Sequence, residues 1–324
     1  MADRVTDLKA PFPYFGGKSF VAAEVWARFG EVKQYNEPFC GSAAILLKAP
    51  KPASLEVVND LNGFIANFWR AVKNQPSEVI KHADYPVSHI DLSGRHEWLM
   101  NQRETLGAAL LDPNWIGDAK IAGWWVWGQC CWIGSGWCDW SASGEIKKAS
   151  VSSQIPHISD AGMGIQKISV SSQIPHIGNA GMGIQNTQNN ATEWIFRLAR
   201  RLDRVRVLHG HWGRCLNTHR GEEGNGIAAI FFDPPYKAFE TLYGTAKTTA
   251  DEVAEWCRAR PHLRIALCGH LGDYDLPDWD VYQWERRGAT YRSTKTRDKE
   301  AIWFSPACIP PRLPSRQLSL MGVE

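Results

Sequence analysis

The chain has 324 residues, 44% of them hydrophobic, and a formal net charge of only +2 at pH 7. That is enough chain for one large α/β domain carrying an insertion, or for two modest domains. It has neither an apolar stretch long enough to span a membrane nor an apolar core behind the polar start Met1–Lys9, so a cytoplasmic protein is expected.

Phe12-Pro-Tyr-Phe-Gly-Gly-Lys-Ser19 reads as a loop opening a helix over Phe20–Phe29, with Ser19 as its N-cap. The adjacent glycines allow close backbone approach to a ligand, and Lys18 suits an anionic group. A strand is expected over Val32–Phe39. It runs into Glu37-Pro38-Phe39-Cys40-Gly41-Ser42 and then a helical run, Ala43–Leu47. Strand, glycine turn and helix outline a dinucleotide-binding arrangement, although with one glycine where three are usual. The next strand, Leu55–Val58, delivers Asn59-Asp60 about twenty residues beyond the glycine turn. An acidic residue at that place can accept hydrogen bonds from ribose hydroxyls, and it can equally cap the helix that begins near Leu61.

Gly63 to about Tyr85 is expected to be helical, with the pattern broken over Pro86–Gly94. Ala122–Trp140 interleaves six tryptophans with glycines, either as a compact core under a loop or as a wall of a cleft. Val151–Gln166 and Val170–Gln185 then repeat each other at fourteen of sixteen positions with a period of nineteen residues. Two such copies are too few for a solenoid. One copy reads as a dispensable surface duplicate, the other as a segment whose Gln, Ser and His side chains could read bases. The α/β pattern resumes with a basic helix, Thr192–Leu202, and strands at Val205–Leu208 and Ile227–Phe232. A loop over Lys237–Thr249 and a helix over Asp251–Arg260 follow. Leu263–Cys268, Val281–Glu285 and Ala301–Phe304 complete the sheet, the last two as an antiparallel hairpin, and Pro306–Glu324 is a loose tail.

Charge and cysteine placement add detail. Arg197, Arg200, Arg201, Arg204 and Arg206 form one basic cluster, and Arg286, Arg287, Arg292, Lys295, Arg297 and Lys299 another. Each is either a solvated face or a phosphate-binding surface. Of the sixteen tryptophans, half or more belong in a core, and stacking on bases is open for others. The eight cysteines show no Cys-x-x-Cys spacing. They are expected to be reduced, buried thiols, with no metal site.

Ile227–Tyr236, Ile-Ala-Ala-Ile-Phe-Phe-Asp-Pro-Pro-Tyr, is the most informative stretch. An apolar run of this kind is a strand buried on both faces, and the two prolines end it. It presents a carboxylate and an aromatic ring at the carboxyl end of a strand, where open α/β sheets bind ligands. Phe-Gly-Gly-Lys, Glu-Pro-Phe-Cys-Gly, Val-Val-Asn-Asp and Asp-Pro-Pro-Tyr, in this order, resemble the motifs of DNA adenine-N6 methyltransferases of the Dam type, over roughly Ala10–Ala83 and Asn190–Pro306. The resemblance implies a Rossmann-like, seven-stranded mixed sheet that binds S-adenosylmethionine and acts on double-stranded DNA. It divides the chain into a methyltransferase domain in two parts, 1–85 and 190–306, an inserted recognition region, 86–189, and a tail, 307–324. Tyr14, Lys18, Asp60 and Asp233 would contact the donor, together with Phe15, Gly16 and Gly17 and with Glu37, Pro38, Phe39, Cys40 and Gly41. Asp233, Pro234, Pro235 and Tyr236 would form the catalytic motif, in a chain expected to be a monomer. One feature departs from the family. Where an acidic residue usually follows the next strand, this chain has His209-Gly210-His211-Trp212, so the donor's adenine must be recognised differently or by backbone.

The motif suits the chemistry. The exocyclic nitrogen of adenine is a poor nucleophile, and two acceptors in fixed geometry, the Asp233 carboxylate and the Pro234 carbonyl, improve it without a metal or a covalent intermediate. Tyr236 would stack on the extruded base. A cytosine-N4 enzyme usually carries Ser at position 233, and protein glutamine methyltransferases typically carry Asn there. A DNA-binding relative with an impaired site is the alternative from outside the enzymes.

Overall fold

The computed structural model describes residues 8–12, 18–84, 88–132, 137–138, 188–216, 227–236, 249–284 and 300–311. Tyr14, Phe15, Gly16 and Gly17, both repeat copies, the 237–248 loop, the second basic cluster and residues 312–324 of the tail lie outside them.

Seven strands form one sheet: β1 (Gln34–Glu37), β2 (Leu55–Asp60), β3 (Val205–His209), β4 (Ala228–Phe232), β5 (Arg264–His270), β6 (Asp280–Trp284) and β7 (Glu300–Phe304). Their order is β3-β2-β1-β4-β5-β7-β6. All pairings are parallel except those of β7, which lies antiparallel between β5 and β6. This is the seven-stranded mixed sheet that the resemblance implied. The chain starts at β1, moves outward to β2 and β3, then returns to place β4 on β1's other side. The order therefore reverses between β1 and β4, and the crevice at such a switch point lies beyond their carboxyl ends. Glu37 and Asp233 stand there.

The apolar run of β4 serves both faces of the sheet. Ala229 and Phe231 join the larger core, and Ile230 and Phe232 the smaller one on the other side. A strand buried on both faces has no polar alternation to show, which is why its sequence is continuous.

Nine α-helices appear among the described residues: α1 (Ala22–Phe29), α2 (Ala44–Leu47), α3 (Gly63–Asn74), α4 (Pro76–Ala83), α5 (His89–Asn101), α6 (Arg103–Ala109), α7 (Ala119–Cys131), α8 (Gln188–Leu202) and α9 (Thr249–Arg258). Several sequence expectations need correction. Ser19 is not the N-cap of the first helix: α1 starts at Ala22, and the residue before it, Val21, makes no side-chain cap. The helical stretch after Gly63 is two helices, because Pro76 opens a new one at its first position. The break expected over Pro86–Gly94 is shorter, since the Ser88 hydroxyl accepts from the Asp91 amide and starts α5 at once.

The tryptophan–glycine stretch is largely helix α7. Asp118 caps it, accepting from the Ile121 amide at 2.8 Å. Trp125 and Trp127 are fully buried, and the Trp137 indole donates to the Trp125 carbonyl at 2.9 Å. A side chain at Gly123 would lie 2.7 Å from the Val79 carbonyl oxygen on α4, so only glycine lets these helices approach so closely. These rings are core. Leu99, Leu106 and Trp125 belong to the same buried cluster as Ala229 and Phe231 of β4.

The first basic cluster also divides. Arg200, Arg204 and Arg206 are exposed and Arg197 is half-buried, but Arg201 is neither a solvated nor a phosphate-facing residue. Its guanidinium forms two bonds to Glu56, at 2.6 and 2.7 Å, and a third to the Leu46 carbonyl at 2.9 Å. All eight cysteines are free, six buried and Cys130 and Cys131 half-buried. Among the described residues, no helix is long and apolar enough to cross a membrane.

Candidate active site

β4 ends at Phe232, because the prolines that follow have no amide to extend the ladder. The Asp233 carboxylate meets Lys18, whose ammonium lies 3.1 Å away. Lys18 is 4% exposed, and its ammonium is also 3.6 Å from a second carboxylate, Glu300, on β7. The same ammonium stands 5.2 Å from the centre of the Tyr236 ring, a cation–π distance. That ring packs edge-on against His270 at 4.7 Å. Lys18, far away in sequence, is thus brought to Asp233 and Tyr236, and Glu300 and His270 join them.

Burial and charge oppose each other here. Burial raises the proton affinity of Asp233 above the usual carboxylate range, although Lys18 pulls the other way. Burial pulls Lys18 down, but the charges beside it, Asp233 before Glu300, more than offset it, so the ammonium holds its proton more firmly than usual. Burial, then the Asp233 charge, pushes the Tyr236 hydroxyl far up. That hydroxyl is close enough to Asp233 to feel its charge but makes no well-formed hydrogen bond.

A second acidic group lies at the ends of β1 and β2. One oxygen of Glu37 accepts from the Tyr35 hydroxyl at 2.9 Å and from the Leu46 amide at 3.2 Å, and burial pushes its carboxyl up to about 8. Asp60, 8% exposed, accepts from the Gly41 amide at 2.9 Å with one oxygen and from the Asn62 amide at 2.8 Å with the other. Burial raises it to about 6. The turn after β1 is therefore wrapped around Asp60. Gly41 adopts φ +45° and Ala43 φ +52°, a left-handed pair that the Gly41 bonds to Asp60 and to the Trp69 indole hold in place. Pro38 and Cys40 are buried and Phe39 is half-buried. The helix cap beside Asp60 is Asn62, not Asp60.

Asn59 has a role that its sequence position did not reveal. Its amide donates to the Pro38 carbonyl at 3.0 Å and to the Gly210 carbonyl at 2.9 Å, tying the loop after β1 to the loop after β3. In the latter loop, His209 approaches the Leu61 carbonyl at 3.2 Å and His211 caps the short turn Trp212–Cys215. Trp212 packs into the smaller core. Glu300 was equally hidden, because it directly follows a run of basic residues in the sequence and nothing in its spacing indicates that it faces Lys18. Among the described residues, no cluster of His, Cys, Asp and Glu could hold a metal ion.

Residues 14–107 match the family model of the D12 class N6 adenine-specific DNA methyltransferases. The match agrees, over that part of the chain, with the resemblance carried by the sequence motifs. A search of curated proteins found no match. The matched span holds Lys18, Glu37 and Asp60, while Asp233, Tyr236 and Glu300 come from beyond it. The match supports adenine methylation in DNA and implies a methyl donor, and the seven-stranded mixed sheet is consistent with the class I methyltransferase fold.

Proposed function

We propose that the methyltransferase moves the methyl group of S-adenosylmethionine to N6 of an adenine turned out of double-stranded DNA. The observation that carries this reading is the Asp233 carboxylate at the switch point, paired at 3.1 Å with a buried lysine and flanked by Tyr236. The donor suits the acidic residues nearby. Each Asp60 oxygen holds one backbone amide and keeps a lone pair for a ribose hydroxyl. Asp60 and Asp233 together favour a cationic ligand, and the turn Pro38–Gly41 offers backbone beside them. Tyr14, Phe15, Gly16 and Gly17 complete the donor set by resemblance. When bound, the donor supplies an electrophilic methyl group on a positively charged sulfur.

The protein's part is to hold and aim the nucleophile. The Asp233 carboxylate and the Pro234 carbonyl accept the two N6 hydrogens, fixing the nitrogen so that its lone pair points along the line of transfer, and Pro235 stiffens the turn. As N6 gains a bond it sheds a proton. Asp233 takes it, having had its proton affinity raised by burial. Tyr236 offers its ring to the extruded base, since N6 cannot be reached within the stack.

Asp233→Ala provides the test. Loss of one acceptor should lower turnover by about 10²–10³, by analogy with removal of an oxyanion-hole donor, while donor affinity changes only a few-fold. Near-normal transfer of radiolabelled methyl groups to adenine by this variant would reduce Asp-Pro-Pro-Tyr to a turn and end the reading.

A further inference from the structure

We propose that Glu300 is a positioning residue for methyl transfer: it shares the Lys18 ammonium with Asp233 and takes it over when an adenine amino group claims Asp233. The proposal rests on the functional reading above and adds a residue to it.

The geometry is that of one buried cation between two carboxylates, 3.1 Å from Asp233 and 3.6 Å from Glu300. The Lys18 side chain is 4% exposed, against 20% for Asp233 and 11% for Glu300. An ammonium so enclosed cannot turn to water for compensation. With Asp233 as its only anionic partner, Lys18 would compete with adenine for the very oxygens that must accept the N6 hydrogens. With Glu300 present, the ammonium moves its weight from one carboxylate to the other, and charge stays balanced while Asp233 is engaged. The fold fixes Glu300 for this task. It is the first residue of β7, opposite His270 on β5 and Trp284 on β6, so it stands at the same edge of the sheet as the end of β4.

Among the described residues, the other titratable groups facing this cluster are Glu37 on β1, Cys268 and His270 on β5, Tyr236 and Tyr274. None of them can replace Glu300. The near oxygen of Glu37 is held by Tyr35 and Leu46, and burial keeps the Cys268 thiol protonated. Glu300 raises the proton affinity of Asp233 as well as that of Lys18. Removing its charge should therefore shift both in the same direction.

The experiment uses the full chain with Glu300→Gln, which keeps shape and removes charge, and Glu300→Asp, which keeps charge. For Glu300→Gln we expect turnover at least tenfold lower, with the KM for DNA and the donor affinity within about threefold of the parent. The acid limb of the turnover profile, set by ionised Asp233, should move to lower pH. Glu300→Asp should recover part of both effects at a melting temperature no higher than that of Glu300→Gln. Independently of turnover, NMR of the 15N-labelled Lys18 ammonium should show it losing its proton at lower pH in Glu300→Gln. Parental turnover and an unmoved acid limb in Glu300→Gln, or an unchanged Lys18 titration, would overturn the proposal. Failure of the functional reading has a different signature, a parent chain that transfers no methyl group to adenine, and it removes the catalytic role of Glu300 with it.

Discussion

Asp60→Asn separates the task the structure shows for this carboxylate, holding the turn, from the one proposed for it, binding the donor. In the free protein the two oxygens hold the Gly41 and Asn62 amides at 2.9 and 2.8 Å. Asparagine keeps one oxygen for one of these amides and turns an NH2 group towards the other. The lost bond costs about 1–3 kcal/mol, and removing a buried charge offsets part of it, so the variant should remain folded. Donor binding should suffer more. A ribose hydroxyl loses a charge-assisted bond worth about 1.5–3 kcal/mol, or roughly 10- to 150-fold in affinity. The pH dependence sharpens the test. Burial raises the Asp60 carboxyl from 3.8 to about 6, and the bond proposed to the donor needs the ionised form. Affinity is therefore complete well above pH 6 and lost as pH falls through it, by about tenfold per unit. Calorimetric titration with S-adenosylmethionine between pH 5 and 8 should show this slope in the parent and not in Asp60→Asn. Equal affinity at pH 7.5 with the same slope in both proteins would leave Asp60 only the task of holding the turn.

Arg201→Ala should lower stability to urea by about 3–5 kcal/mol, because it leaves the Glu56 carboxylate buried and unpaired. Replacing both partners by methionine should recover much of that loss, and a change under 1 kcal/mol in the single variant would refute the assignment. Excising one nineteen-residue period of the repeat should leave folding and methyl transfer largely intact. Loss of sequence-specific methylation with donor binding retained would instead assign both copies to DNA recognition.

Much of this molecule could be read from residue order. A strand buried on both faces writes itself as an apolar run, and prolines mark its end, so β4 and Asp233 were visible at once. Asp60 was visible because an acid after the second strand has a recognised place. Glu300, Asn59 and Arg201 were not, for a common reason. Each has a defining partner more than a hundred residues away, and local pattern carries no information about which distant strand will lie alongside. Arg201 shows the consequence: within a run of arginines on a helix it looks like its neighbours, and only the rotation of α8 against β2 turns it inward. The start of α1 failed differently, because a serine before an apolar run resembles a cap whether or not the chain turns there.

The placement of β7 has a consequence for how the site comes into being. Parallel strands β1 to β5 can pair in the order in which they are made, but β7 must enter between β5 and β6 after both exist. Lys18 is thus synthesised some 280 residues before the carboxylate that shares it. At about 5–20 residues per second of translation that is a wait of roughly 15–60 seconds. A chain still emerging from the ribosome with β7 unmade lacks Glu300 beside Lys18. Completion of the sheet acts as an assembly check, with full charge balance at the site reached only by a chain that has been finished.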